Sequence, residues 1–194
     1  MPRATPSSAL SVYQLKVTLR DSKPPIWRRI EVTSDIRLST LHQVLQVVMG
    51  WEEAHLHQFM AHGIYYGTPH PDFGFEVHNE QQVSLQQVVS RAKDKLIYEY
   101  DFGDSWDHEL LVEKILSLDE EKRYPVCLTG KRACPPEDCG GMWGYASLLE
   151  AIRDPEHEEM MAWVGSEFDP DLFDLDEVNR ELYQLTSPVG RRQR

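Results

Sequence analysis

The sequence predicts an α+β fold: a largely antiparallel sheet built from hairpins, with an early helix, followed by a C-terminal helical segment packed on it. Three observations predict it. Apolar residues alternate with a period of two over residues 12–32 and again over 95–116, as half-buried strands require. Turn residues separate these runs at hairpin spacing. After Trp143 the pattern changes to helical spacing, so strands come mostly first and helices last.

In chain order, Tyr13, Leu15, Val17 and Leu19 share one side of a first strand. "DSKPP" then turns the chain into "IWRRIEV", where Ile26, Arg28, Ile30 and Val32 alternate and Trp27 and Arg29 take the opposite side. "STLHQVLQVVMGW" is the clearest helix. Ser39 is its expected cap, Leu41, Val44, Leu45, Val48 and Met49 form its apolar stripe, and Gly50 ends it. "HLHQFMAHGIYYGTPHPDFGF" reads as a strand or strand pair, and "VSLQQVVSRAK" as a short helix opened by Ser84. "KLIYEYDF" and "WDHELLVEKIL" are two strands joined by "GDS". Residues 124–143 show no clear periodicity and read as irregular. Helices over "WGYASLLEAIRD", "PEHEEMMAWVG" and "DLDEVNRELYQL" follow, the last with Asp174 and Glu177 at capping-box spacing. Residues 1–10 and 186–194 read as disordered tails, the second basic, around one domain over 11–185.

Composition narrows the function classes. Hydrophobic residues at 41% and charged residues at 27% of 194 fit a soluble globular chain. No apolar run reaches membrane-spanning length, and "MPRATPSSAL" has no signal-peptide core, so the expected location is the cytoplasm. Three cysteines make no disulfide framework. The net charge of −12 repels a phosphate backbone and disfavours general nucleic-acid binding. The short basic clusters "WRRIE" and "GRRQR" and the two "KR" pairs are the exceptions.

Three stretches carry candidate chemistry. In "YEYDFGDSWDHELLVEK", Asp101 and Asp104 bracket a turn and His108 follows, which suits a metal or acid-base site at a hairpin mouth; the plainer reading is turn capping and a half-buried imidazole. The "DFG" within it is not a kinase motif, because no phosphate loop or HRD-type loop accompanies it. In "HLHQF", His55 and His57 would project from one face of a strand toward a shared ion. In "RACPPEDCGG", Cys134 and Cys139 lie either in a metal loop, completed by Cys127 and a histidine, or in a connector stiffened by proline; a nucleophilic thiol is a third reading. Asp169 and Asp174 read as helix caps rather than calcium ligands, and His157 is given no role.

Together, "IWRRIEV", "HLHQF", "YDFGDSWDHEL", "RACPPEDCGGMWGY" and "FDPDLFDLDEVN" resemble the plasmid pRiA4b ORF-3-like family, also labelled transposon-passenger, TnpR-like proteins. The resemblance covers roughly residues 11–185 and implies an α+β fold, company with mobile elements and no defined reaction. The matching positions are His55, His57, Asp101, Asp104, Trp106, His108, Cys134, Glu137 and Asp138. No serine-recombinase organisation is visible, despite the TnpR label.

Two function classes follow. The first is a binding or adaptor module for an unidentified protein or nucleic-acid partner, with Trp27, Arg28, Arg29, Trp106, Arg132 and Asp138 as its contact residues and no membrane role. The second is a metal-dependent hydrolase, with His108, Asp101, Asp104 and Glu137 as catalytic candidates and His55, His57, His108 and Cys134 as ligands. Such donors suit a divalent transition metal such as zinc.

Overall fold

The computed structural model describes residues 10–69, 74, 76–153 and 168–187. The first hairpin pairs β1 (Ser11–Leu19) with β2 (Trp27–Thr33) in antiparallel register, with Leu15 opposite Ile30. Helix α1 (Leu38–Met49) follows, and then β3 (His57–Ala61), β4 (Ile64–Gly67), β5 (Val77–Asn79) and the single turn α2 (Leu85–Val88). Strands β6 (Lys95–Tyr100), β7 (Trp106–Ser117) and β8 (Val126–Lys131) complete one sheet of order β5-β4-β3-β6-β7-β1-β2-β8. Among the described residues, only the β4–β5 pair is parallel. Helices α3 (Gly141–Ala151) and α4 (Leu175–Leu185) come last, so the α+β class, with strands mostly first and helices last, stands as expected.

The long strand β7 is central, pairing with β6 on one side and β1 on the other. Trp106, His108, Leu110 and Val112 alternate onto its buried side, against the α1 stripe of Leu41, Val44, Leu45 and Val48. One bulge interrupts β1–β7 between Gln14 and Leu15 and swings Glu113 out of the ladder. There Glu113 accepts two hydrogen bonds from Arg29, at 2.6 and 2.9 Å, and one from Gln14 at 2.7 Å.

Several local expectations are corrected. Ser39 does not cap α1. The helix begins two residues earlier, with Arg37 at the N-cap, because Leu38 N–H donates to Val83 O and Arg37 bridges to Ser84. Gly50 does end the helix, in the left-handed region at φ 89°. The helix opened by Ser84 is one turn long, since Asp94 Oδ2 captures the amides of Ser90 and Arg91 and turns the chain. The stretch from residue 124 is not wholly irregular: it contains edge strand β8. Its alternation is hidden by a bulge between its Thr129 and Cys127 pairings and by Gly130, where a Cβ would sit 2.7 Å from Arg28 Cδ and Phe173 Cε1. Helix α4 covers this edge. Asn179 accepts from Cys127 N–H and donates back to Cys127 O, closing two ladder groups.

The expected helix over 155–165, with His157, lies outside the described residues, as do residues 1–9 and 188–194. Among the described residues, no helix is long and apolar enough to cross a membrane.

Candidate functional site

Three chain segments meet at the β6–β7 hairpin mouth: residues 51–57, the turn 101–105 and the loop 132–141. Asp101 leaves β6 in the left-handed region at φ 56° and is almost fully buried. Its Oδ1 accepts from Gly103 N–H and its own N–H donates to Leu56 O, which leaves Oδ2 facing His55. The loop 132–141 is clamped onto the mouth from above. Asp104 Oδ2 accepts from Gly140 N–H at 3.0 Å, and Trp51 Nε1 donates to Pro135 O at 3.0 Å. Gly141 is required there, since a Cβ would lie 2.7 Å from Asp104 O. Asp138 holds φ at 55°, so two of the converging carboxylates sit on left-handed backbone, a conformation that concentrates at functional sites.

The result is one imidazole nitrogen facing three carboxylates. His55 Nε2 lies 3.3 Å from Glu137 Oε2, 3.3 Å from Asp138 Oδ1 and 3.8 Å from Asp101 Oδ2. That nitrogen is shielded from solvent yet has no hydrogen bond of proper geometry. Two ligands of one zinc ion at tetrahedral angles lie about 3.4 Å apart, close to the distances from His55 Nε2 to each carboxylate. Ligand atoms of His55, Asp101 and Asp138 all fall within 4.8 Å of one another. Among the described residues, no lysine or arginine pairs with these three acids. Glu137 is held from behind by Tyr100, which donates at 3.1 Å, and by Glu52 N–H at 3.0 Å. Burial, and then the Glu137 charge, push the Tyr100 phenol up to about 12, so it remains a donor.

The structure does not bring the other expected ligands here. His57 opens β3 while His55 precedes it, so the two do not share a strand face. His57 instead meets Glu80 at 2.9 Å and stacks on His42 at 3.4 Å between ring centroids. Burial and His57 push His42 down to about 3. His108 is fully buried against Trp51, with Nδ1 3.3 Å from Tyr98 O, and burial lowers it to about 4. Cys134 is buried and its thiol is pushed well up by that burial. Burial likewise raises Cys127 to about 11 and Cys139 to about 12, which argues against a nucleophilic thiol.

The expected aromatic-arginine contact surface is also corrected. Arg28 is buried, donating to Val48 O, Trp27 O and Lys131 O, with its guanidinium 4.1 Å from the Phe173 ring centroid. Trp106 is core, and Arg132 is buried and paired with Asp171. Of the six, Trp27 and Arg29 are half-buried and Asp138 is exposed. Missed altogether were Tyr100, Glu52 and Asn179; for Tyr100, the signal was its place directly before Asp101, on the inward face of β6.

Comparison with known proteins agrees with this architecture. The model of the plasmid pRiA4b ORF-3-like protein matches residues 11–177. The chain belongs to the plasmid pRiA4b ORF-3-like family. An ORF-3-like relative, uncharacterized protein y4hQ of Sinorhizobium fredii (strain NBRC 101917 / NGR234), is 37% identical over 189 residues, 95% of this chain and 97% of its own. The crystal structure of a protein of unknown function, MM3350 from Methanosarcina mazei Go1, superposes with a TM-score of 0.81 at 37% identity. That match covers 88% of this ORF-3-like chain and 97% of the other.

Proposed function

We propose that this ORF-3-like protein is a metal-organised binding module. His55 Nε2 and one oxygen each of Asp101 and Asp138 hold a divalent transition cation such as zinc at the hairpin mouth, and Glu137, 3.3 Å from the same nitrogen, supplies a further arm. A single observation carries the reading: a shielded imidazole nitrogen without a hydrogen bond faces three carboxylates at ligand-to-ligand spacing. The ion would tie the 132–141 loop to the sheet and offer an open side to a partner. The adaptor role, company with mobile elements and cytoplasmic location belong to the same reading.

A metal-dependent hydrolase is the second reading, favoured by one feature. The Asp138 side chain is 72% exposed, so solvent reaches that side of the ion and a bound water can be activated there.

Elemental analysis of untagged protein, with zinc titration calorimetry of chelator-treated protein, tests the site. About one equivalent is expected, lost in His55→Ala and weakened in Asp138→Asn. Absence of zinc, manganese and iron together with no heat of binding sinks it. Hydrolysis of bis(p-nitrophenyl) phosphate and p-nitrophenyl acetate by the loaded protein, absent in His55→Ala, would favour the hydrolase over the module.

A further inference from the structure

A groove of about 430 Å³ runs behind the 132–141 loop, between the C-terminal end of α1 and helix α4. Its floor is apolar, built from Val48, Met49, Trp51, Phe173 and Val178. Leu172 stands on its edge, 58% exposed. Five carboxylates line it as well: Glu137, Asp169, Asp174, Glu177 and Glu181. The one cation in the lining, Arg28, is buried at 2% exposure and engaged by three backbone carbonyls. Outside the lining, Arg180 pairs with Glu177 between exposed side chains and offsets one of these five charges, so carboxylates remain in excess at the rim.

Two further features give the groove its sign. Residues Val47–Gly50 of the α1 terminus line it, so the negative end of that helix opens onto it. The chain as a whole carries −12, which raises the local concentration of cationic partners and repels anionic ones. An apolar floor excludes water from an inserted side chain, while rim carboxylates at the edges receive flanking ammonium or guanidinium groups.

We infer that this groove docks a peptide segment in which apolar anchor residues are flanked by lysine or arginine. The anchors lie over Trp51, Phe173 and Val178, and the basic side chains reach Glu177 and Glu181 on α4 and Asp169 beside it. The site shares Glu137 with the metal site, and its loop wall is held without the ion by Trp51 Nε1, which donates to Pro135 O at 3.0 Å.

Fluorescence anisotropy with a labelled twelve-residue peptide of alternating lysine and leucine or phenylalanine tests this, with full-length protein. Micromolar binding is expected at low salt, weakening as salt rises. It should fall at least tenfold when glutamate replaces the lysines or serine replaces the apolar residues. Glu177→Gln/Glu181→Gln should weaken it at least fivefold, whereas the distant Glu120→Gln should not. Chelator should leave it unchanged, so loss of the metal site and loss of this site read out separately. No binding, or equal binding by the double variant, overturns the inference. A dimer in sedimentation that Leu172→Ser dissociates would assign the groove to a second copy of the chain and overturn it too.

Discussion

Tyr100 donates its hydroxyl to Glu137 at 3.1 Å, across 37 residues of sequence. The bond joins the end of β6 to the proline-stiffened loop, and the same tyrosine oxygen accepts Ala54 N–H at 3.0 Å from the segment that carries His55. One phenol therefore registers all three segments of the candidate site.

Replacing that donor tests whether it orients a ligand. Tyr100→Phe keeps the ring under Trp51, whose centroid lies 4.8 Å away, and removes only the oxygen. Zinc affinity is expected to fall about 10–100-fold, the usual effect of losing a partner that aims a ligating carboxylate. Stability should fall by about 1 kcal/mol. Calorimetry alongside urea melts separates the two effects. Unchanged zinc affinity would remove Tyr100, and with it the Glu137 arm, from the site.

Arg28 and Arg29 are neighbours in sequence with opposite roles. Arg28 is buried and donates to carbonyls of β2, α1 and β8, whereas Arg29 meets Glu113 at a partly exposed bulge. Arg28→Met leaves buried carbonyls unpaired and is expected to cost about 2–5 kcal/mol. Arg29→Met should cost about 1 kcal/mol or less, because solvent screens its pair. Equilibrium urea unfolding of both variants decides; a larger loss for Arg29→Met would contradict these assignments.

These residues also show what the sequence made legible. Alternation through Ile26, Arg28, Ile30 and Val32 already set Arg28 on the core side of β2, so its burial could be read, while charge alone suggested a surface. The α1 stripe and the β6–β7 hairpin were legible because each follows one period without interruption. Strand β8 was not, since a bulge and a sterically required glycine break its pattern. In the candidate site, His55, Asp101 and Glu137 could be grouped in one hydrolase reading. That grouping also takes in His57, His108 and Cys134, which the fold places elsewhere, and leaves out Asp138, which the sequence assigns to a partner contact. Whether His55 or His57 joined the carboxylates depended on where β3 begins, and a left-handed Glu53 at φ 59° lies in the loop before it. Spacing in sequence cannot express such a turn.

Acid sensitivity should come from buried imidazoles before carboxylates. His108 is fully buried, and burial lowers it from 6.5 in the unfolded chain to about 4 in the folded one. Between these values the unfolded chain binds the extra proton, so stability is complete above pH 6.5 and declines as pH falls toward 4. The full effect is on the order of 3 kcal/mol. His42, lowered to about 3, acts in the same direction over a window reaching further down. Glu113, whose carboxyl Arg29 holds below the ordinary range, contributes only at lower pH, below its unfolded value of 4.5. Urea melts at pH 7.5, 6.5, 5.5 and 4.5 should therefore show most of the early decline before that carboxylate titrates. His108→Gln, less stable than the parent at pH 7.5, should have a shallower slope between pH 6.5 and 4.5. An unchanged slope in that variant would show that the decline arises elsewhere in the protein.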